Sequence, residues 1–310
     1  MTITQLKYTL AVAEHGNFTL ASDKCFVTQP TLSMQVQKLE EELGITIFDR
    51  STKPLKVTDI GEKVLIQARR IIEESSRMND IISEEKGIIG GNLTVGIIPT
   101  VSSTLLPLFL NIFLKKHKDI NLKIEEYNTD VLVQKLEDRT IDCALAATPL
   151  NNSSIIEKPL YYEPFVAYVP THHHLSGHKP LEIEDLSSSN LLILEDGHCF
   201  RNQVLNLCSS QDFNQQYELK SGSFETLINL SNSGPWMTVI PYLHSKNLSN
   251  NKTNNLIPFK EPSPAREISI IYSKSQLKLP VINALSSTIS SVIRGQIKYN
   301  DIKIISPVTV

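Results

Sequence analysis

Two sulfur atoms carry the most reactive chemistry in this chain. They belong to Cys199 and Cys208, in the stretch that begins Glu195-Asp196-Gly197-His198-Cys199-Phe200-Arg201-Asn202-Gln203. A cysteine attacks electrophiles as its thiolate, and a helix N-terminus with cationic neighbours favours that form. The apolar run Leu191-Leu192-Ile193-Leu194 reads as a buried strand. Asp196 reads as the N-cap of a short helix after it, with Cys199 in the first turn. His198 is adjacent and Arg201 is close. Nine helical residues rise about 13.5 Å, whereas a disulfide needs its Cα atoms within about 7 Å. The pair can therefore bond only if the segment between them rearranges, which would make it a switch. Spacing alone equally allows two unrelated thiols, one at the surface and one buried.

The elements around this stretch alternate in type from residue 91 onward. Asn92–Ile98, Asn121–Tyr127 and Cys143–Ala147 have strand patterns, separated by helical patterns over Leu105–His117 and Asp130–Asp138. Such alternation builds a parallel sheet. Phe165–Val169 reads as a strand crossing into a second lobe, which holds Leu191–Leu194, the Cys199 segment, a helix near Thr226–Asn232 and the Val239-Ile240 strand. Glu267–Tyr272 is the expected return strand and Pro280–Arg294 a closing helix. The expected division is lobe I over 91–163 and 267–310, and lobe II over 164–266. Ligands of α/β sheets sit at the carboxyl ends of strands. Thr100 and Thr129 fall just after the first two strands.

Residues 59–90 form a different kind of element. Val64, Ala68, Ile71, Ser75, Met78 and Ile82 repeat at alternating spacings of four and three, a heptad-like seam on one long helix. A helix of this kind flanked by domains most often pairs with its own copy; the plainer reading is packing on its own chain. Gly87-Ile88-Ile89-Gly90-Gly91 marks a hinge.

Residues 1–58 read as two helices, a turn, and a third helix. Gly16 ends the first and Asn17 caps the second. Thr28 opens the third, with Pro30 in its first turn. Leu32, Val36, Leu39 and Leu43 form its apolar stripe. Off that stripe, Gln29, Thr31, Ser33 and Gln35 are polar groups able to reach bases and phosphates. A two-stranded wing follows, with Arg50, Lys53 and Lys56 at its tip for backbone phosphates. Lys/Arg and Asp/Glu are close to balance in this module, so charge alone leaves a plain helical domain open.

Composition sets the outer bounds. The chain has 310 residues, 41% hydrophobic and 20% charged, with a net charge of −3, so a nucleic-acid contact must come from a local patch. Four cysteines in this length fit a reducing cytoplasm and not a disulfide framework. The first residues lack a signal-peptide apolar region and no run is long enough to span a membrane. His172-His173-His174 with His178 reads as an exposed loop and not a metal site, Cys143 as a buried inert thiol and Cys25 as packing. No cofactor is expected.

Gln29-Pro30-Thr31-x-Ser33, Leu39-Glu40-x-x-Leu43-Gly44, Phe48-x-Arg50 and Thr58-x-x-Gly61 together resemble the N-terminal domain of LysR-type transcriptional regulators. The resemblance implies a winged helix-turn-helix (residues 1–58) that binds double-stranded DNA as a dimer, contacted by Thr28, Gln29, Pro30, Thr31, Ser33, Gln35, Arg50 and Lys53. It also implies a linker/dimerisation helix (59–90) and a two-lobed periplasmic-binding-protein-like (type 2) effector domain (91–310).

Leu194–Gln203 with Cys208, Ile97–Val101, Leu136–Cys143, Ser223–Leu227 and Arg266 narrow the match to the peroxide-sensing members of that family. By that match Cys199 is the peroxide-reactive thiol and Cys208 the resolving one. Thr100, Thr129, His198 and Arg266 line a hydrogen peroxide pocket. A thiol reductant such as glutaredoxin or thioredoxin resets the pair, and the assembly is a homodimer or homotetramer. Two rivals stand beside this: a LysR regulator that takes a small organic effector between its lobes, and a thiol peroxidase. A full DNA module argues against the enzyme.

Overall fold

The computed structural model describes residues 1–52, 54–85, 90–177, 180–188, 190–207, 221–276, 278–297 and 301–308. Cys208, Lys53, His178 and hinge residues 87–89 lie outside them. The chain divides near residue 88 into two compact units.

The N-terminal unit begins with α1 (Ile3–His15). Thr2 Oγ1 accepts from the Gln5 amide at 3.2 Å and Gln5 Oε1 accepts from the Thr2 amide at 2.7 Å, a reciprocal capping box. α2 (Phe18–Lys24) is capped by Asn17, whose Oδ1 accepts from Thr19 and Leu20. α3 (Gln29–Leu43) ends at Gly44 in the left-handed region. β1 (Phe48–Asp49) and β2 (Lys56–Val57) pair antiparallel as the wing. Leu6, Val12, Leu32, Val36, Leu39 and Phe48 form the core; each buried side chain of this size stabilises by about 1.5–3 kcal/mol.

α4 (Asp59–Glu85) leaves that core as one helix of 27 residues. Leu65 and Ala68 are buried in the unit's own core, and Met78 is 67% exposed. The early part of the expected pairing seam is thus partly engaged within the chain.

The C-terminal unit has two lobes. In lobe I, β3 (Gly91–Ile97) lies parallel to β4 (Ile120–Glu126) and to β5 (Cys143–Thr148). α5 (Pro99–Lys116) and α6 (Thr129–Glu137) connect them. α5 starts at Pro99 and not at Leu105, because proline suits the first helical position; Thr100 therefore sits in its first turn. A side chain at Gly96 would place its Cβ 2.3 Å from Leu132 Cδ2, so the bare backbone there lets α6 seat closely on the sheet.

β6 (Ile155–Tyr168) is longer than expected and crosses between lobes. Five elements follow: a 3₁₀ turn (Ile183–Ser188), β7 (Leu191–Leu192), α7 (Cys199–Leu207), α8 (Phe224–Ser233) and β8 (Met237–Pro241). Next come α9 (Tyr242–Ser245), α10 (Asn250–Thr253), β9 (Leu256–Pro258), β10 (Ser263–Ser273), α11 (Leu279–Ile293) and β11 (Ile302–Ile304). β10 runs antiparallel to β5 and to most of β6, completing lobe I. The last residues of β6 pair with β8 and β9, and β7 lies parallel to β8, in lobe II.

Each lobe has its own hydrophobic cluster. Residues 301–308, expected in lobe I, belong with lobe II instead. β11 pairs with the first residues of β10, and Ile305 is buried in the lobe II cluster. The histidine loop also differs from expectation. His173 is buried, with Nδ1 accepting from the Leu175 amide at 3.3 Å, while His172 and His174 are exposed. Among the described residues no cluster could hold a metal ion, and no helix is long and apolar enough to cross a membrane.

Candidate functional site

The N-terminal unit presents the leading end of α3. Thr28, Gln29, Pro30 and Thr31 are exposed, and Ser33 and Gln35 are half-buried. Thr28 takes the N-cap position, but its hydroxyl pairs with that of Thr31 at 2.8 Å and not with a backbone amide. Met34, 48% exposed on the same helix, escaped the sequence reading because apolar residues are sought for the core.

Arg50 is not a free cation at the wing tip. Its Nη2 donates to Glu40 Oε2 at 2.9 Å and its guanidinium lies 5.0 Å from the Phe18 ring centroid. Glu40 Oε1 also accepts from the Ile47 and Phe48 amides. The pair fixes the wing to α3, and Lys56 remains exposed. Thr58 Oγ1 donates to Thr46 O at 2.7 Å and accepts from the Gly61 amide at 3.0 Å. A Cβ at Gly61 would stand 2.5 Å from Ile47 O, so the Thr-x-x-Gly spacing is a requirement of the junction between wing and α4.

The C-terminal unit holds the thiol. Cys199 is the first residue of α7 and is 8% exposed. Its side chain packs in the lobe I cluster, whereas the next residue, Phe200, packs in that of lobe II. Asp196 does not cap the helix. Its carboxylate accepts from Arg201 Nε at 2.8 Å, and Arg201 Nη1 donates to Leu194 O at 2.9 Å. The cation at the sulfur is therefore Arg266, not Arg201. Burial pushes the Cys199 thiol above its ordinary value of 9.0, opposed by Arg266, by the Thr129 hydroxyl and by backbone hydrogen bonding from Phe200 and Ala147. Desolvation thus works against the thiolate that the helix start and the nearby cation favour.

Arg266 and Glu163 are both fully buried. Arg266 Nε and Nη2 donate to Glu163 Oε2 at 2.9 and 2.7 Å, Nη1 donates to Thr100 Oγ1 at 2.9 Å, and Nη2 donates to Thr100 O at 3.0 Å. Glu163 Oε1 accepts from the Leu243 amide at 2.8 Å. Sequence reasoning missed Glu163. It lies mid-strand in β6, where a carboxylate gives no signal until its partner is known. Its charge balances that of Arg266.

The structure thus joins Arg266 with Thr100 and brings Arg266 and Thr129 to Cys199. Thr129 Oγ1 is buried and has no well-formed hydrogen bond, which leaves it available to the sulfur or to a guest. The interactions of the His198 ring are elsewhere, against Glu195 and Gly222. A pocket of about 600 Å³ leads to the thiol, with Cys199, Thr129, Asn202, Asp130, Pro307 and Val308 in its lining.

A helix-turn-helix unit and a two-lobed α/β unit with an interlobe thiol define a bacterial regulator class. Two family descriptions match: the bacterial regulatory helix-turn-helix protein, lysR family, over residues 3–62, and the LysR substrate binding domain over residues 87–293. The chain belongs to the LysR family. Within it, the chain is 32% identical over 299 residues to the hydrogen peroxide-inducible genes activator of Haemophilus influenzae, covering 95% of this chain and 99% of that one. A full-length OxyR variant from Pseudomonas aeruginosa is similar at TM-score 0.77 and 31% identity, covering 94% of this chain and 98% of that one. A peroxide-bound OxyR cysteine variant from Corynebacterium glutamicum is similar at TM-score 0.63 and 29% identity, covering 95% and 93%.

Proposed function

We propose that this chain is a DNA-binding transcriptional regulator that senses hydrogen peroxide through Cys199. The carrying observation is the placement of that thiol: buried at the lobe boundary, at the start of a helix, beside Arg266 and Thr129, and open to a pocket.

The Cys199 thiolate attacks one peroxide oxygen. The O–O bond breaks, the sulfur becomes a sulfenic acid, and the departing hydroxide takes a proton and leaves as water. The Thr129 hydroxyl and the Arg266 N–H beyond the four bonds described above orient the peroxide and stabilise the leaving oxygen. Thr100, whose Oγ1 accepts from Arg266, keeps its own hydrogen to donate. The Cys208 thiol then attacks the sulfenic sulfur, a second water leaves, and a disulfide forms. α7 cannot stay helical across that bond. The refold shifts the packing of a dimer joined through α4, or of a tetramer, and with it the spacing of the DNA-reading ends and the control of antioxidant genes. A dithiol protein of the glutaredoxin or thioredoxin class restores the two thiols in the cytoplasm. DNA contact runs through Thr28, Gln29, Pro30, Thr31, Ser33 and Gln35, with Lys53 on phosphate and Arg50 bracing the wing. His198 is assigned to the pocket's edge.

Mass spectrometry after one equivalent of peroxide is expected to show a Cys199–Cys208 disulfide together with altered DNA binding. Cys199→Ser should bind DNA but not respond; a Cys199→Ser protein that still switches rejects the reading. The pocket's size favours one second reading, a small organic effector bound between the lobes. Sustained peroxide turnover with a thiol reductant would instead indicate a peroxidase.

A further inference from the structure

The segment Asp301–Val308 is tied to α7 across a long stretch of sequence. β11 joins the first residues of β10 as a parallel strand, and the Ile305 amide donates to Ala265 O at 2.8 Å. The Ile305 side chain is buried in one cluster with Phe200, Val204 and Leu207, the inward face of α7. Polar groups of the same helix hold the backbone around it. Gln203, fully buried, donates Nε2 to Ile305 O at 2.8 Å. Asn206 donates Nδ2 to Ser306 O and to Val308 O, each at 2.9 Å. Pro307 and Val308 then line the pocket that Cys199 lines from the other side. These bonds come from residues four and seven positions beyond Cys199, so they hold the helix and not the reacting sulfur.

We propose that Asp301–Val308 is a strap on α7, and that Gln203 and Asn206 are positioning residues that set how readily the Cys199 dithiol closes to a disulfide. The inference rests on the redox reading above. A helix from Cys199 to Leu207 separates its ends by about 12 Å, and a disulfide to Cys208 requires about 7 Å or less. Closure therefore unwinds α7, which takes Gln203 and Asn206 from their carbonyls and Phe200 and Val204 from Ile305. Whatever the strap contributes to the helical state opposes the disulfide by the same amount. Overall, the two thiols give up two electrons and two protons to hydrogen peroxide, and two waters form. Glutathione reduces the protein disulfide back to two thiols, two glutathione molecules being oxidised to their disulfide.

The test uses the full-length chain, Asn206→Leu, and a chain ended after Ile304. Three quantities are measured: amide hydrogen exchange of α7 in the reduced protein, the disulfide-to-dithiol ratio of Cys199 at a fixed glutathione to glutathione-disulfide ratio, and the rate at which peroxide forms a trappable sulfenic acid at Cys199. Two neutral hydrogen bonds amount to about tenfold in an equilibrium. Asn206→Leu is therefore expected to raise α7 exchange and the disulfide ratio about tenfold each, with the sulfenic acid rate unchanged within about twofold; the truncation should do more. A disulfide ratio in Asn206→Leu within about twofold of the parent overturns the strap, whatever happens on truncation. A parent chain that forms no disulfide at all rejects the redox reading instead, and unaltered α7 exchange in Asn206→Leu would then reject the strap as well.

Discussion

Cys143 and Cys199 are both buried thiols in the lobe I cluster, and burial raises the pKa of each. Their second neighbours separate them. Cys143 opens β5 beside the Asp142 carboxylate, which pushes its thiol further up, and Lys278, which binds Asp142 at 2.9 Å, only partly offsets this. Cys199 starts a helix, with Arg266, a buried hydroxyl and backbone donors all acting to lower its pKa. One sulfur is enclosed by strands; the other opens to a pocket. On the proposed reading, equal burial leaves an inert thiol in one place and a poised one in the other, because reactivity follows what stabilises the charge that forms on attack and whether an electrophile can arrive.

The largest effect expected from this contrast is complete loss of peroxide-driven disulfide in Cys199→Ser, set against Cys143→Ala reacting within about twofold of the parent; intact-mass analysis after peroxide reads both. If Cys143→Ala lost the reaction, the contrast would fail. Arg266→Met should slow peroxide oxidation by about a hundredfold, as removal of a charge-stabilising donor does. It should also destabilise the fold by about 3–5 kcal/mol, because Glu163 is left buried without its counter-ion. Adding Glu163→Gln should recover much of that stability in urea unfolding but none of the rate. Thr129→Val should slow the reaction about tenfold, the scale of one hydrogen bond to a charged group, while its melting temperature stays near the parent's, since the hydroxyl has no well-formed bond to lose.

A milder gradient should appear with pH. Because burial pushes the Cys199 thiol above its ordinary value, the thiolate fraction, and with it the oxidation rate followed by stopped flow, is expected to climb as pH rises from neutral into the alkaline range. The linkage has the same origin. Folded thiols with raised pKa values hold their protons more tightly than unfolded ones, so stability is full below the ordinary thiol value and declines as pH rises past it. A plateau of the rate near pH 7 would show that Arg266 outweighs burial.

Several helical ends of the N-terminal unit were legible because cap chemistry is local: Gly16, Asn17 and Thr28 mark boundaries within a few residues. The strand and helix alternation of lobe I was equally plain. Cys199 was visible as a helix-start thiol, but proximity in the chain pointed to Arg201 as its positive neighbour, whereas Arg266 was indicated only by the family resemblance and stands beside the sulfur. Glu163 and the Gln203–Ile305 bond left no trace, because each joins residues about a hundred positions apart. A lone carboxylate in a strand and an amide on a helix look like ordinary solvated groups until the fold supplies their partners.

The late position of Ile305 also bears on how the molecule is made. Gln203 must wait for 102 further residues to be added before its carbonyl acceptor exists. A chain emerging from the ribosome N-terminus first can complete lobe I's first three strands early, yet lobe II keeps a gap in its apolar interior until Ile305 has been made. The thiol-bearing helix thus gains its full set of contacts only after Ile305 has been made.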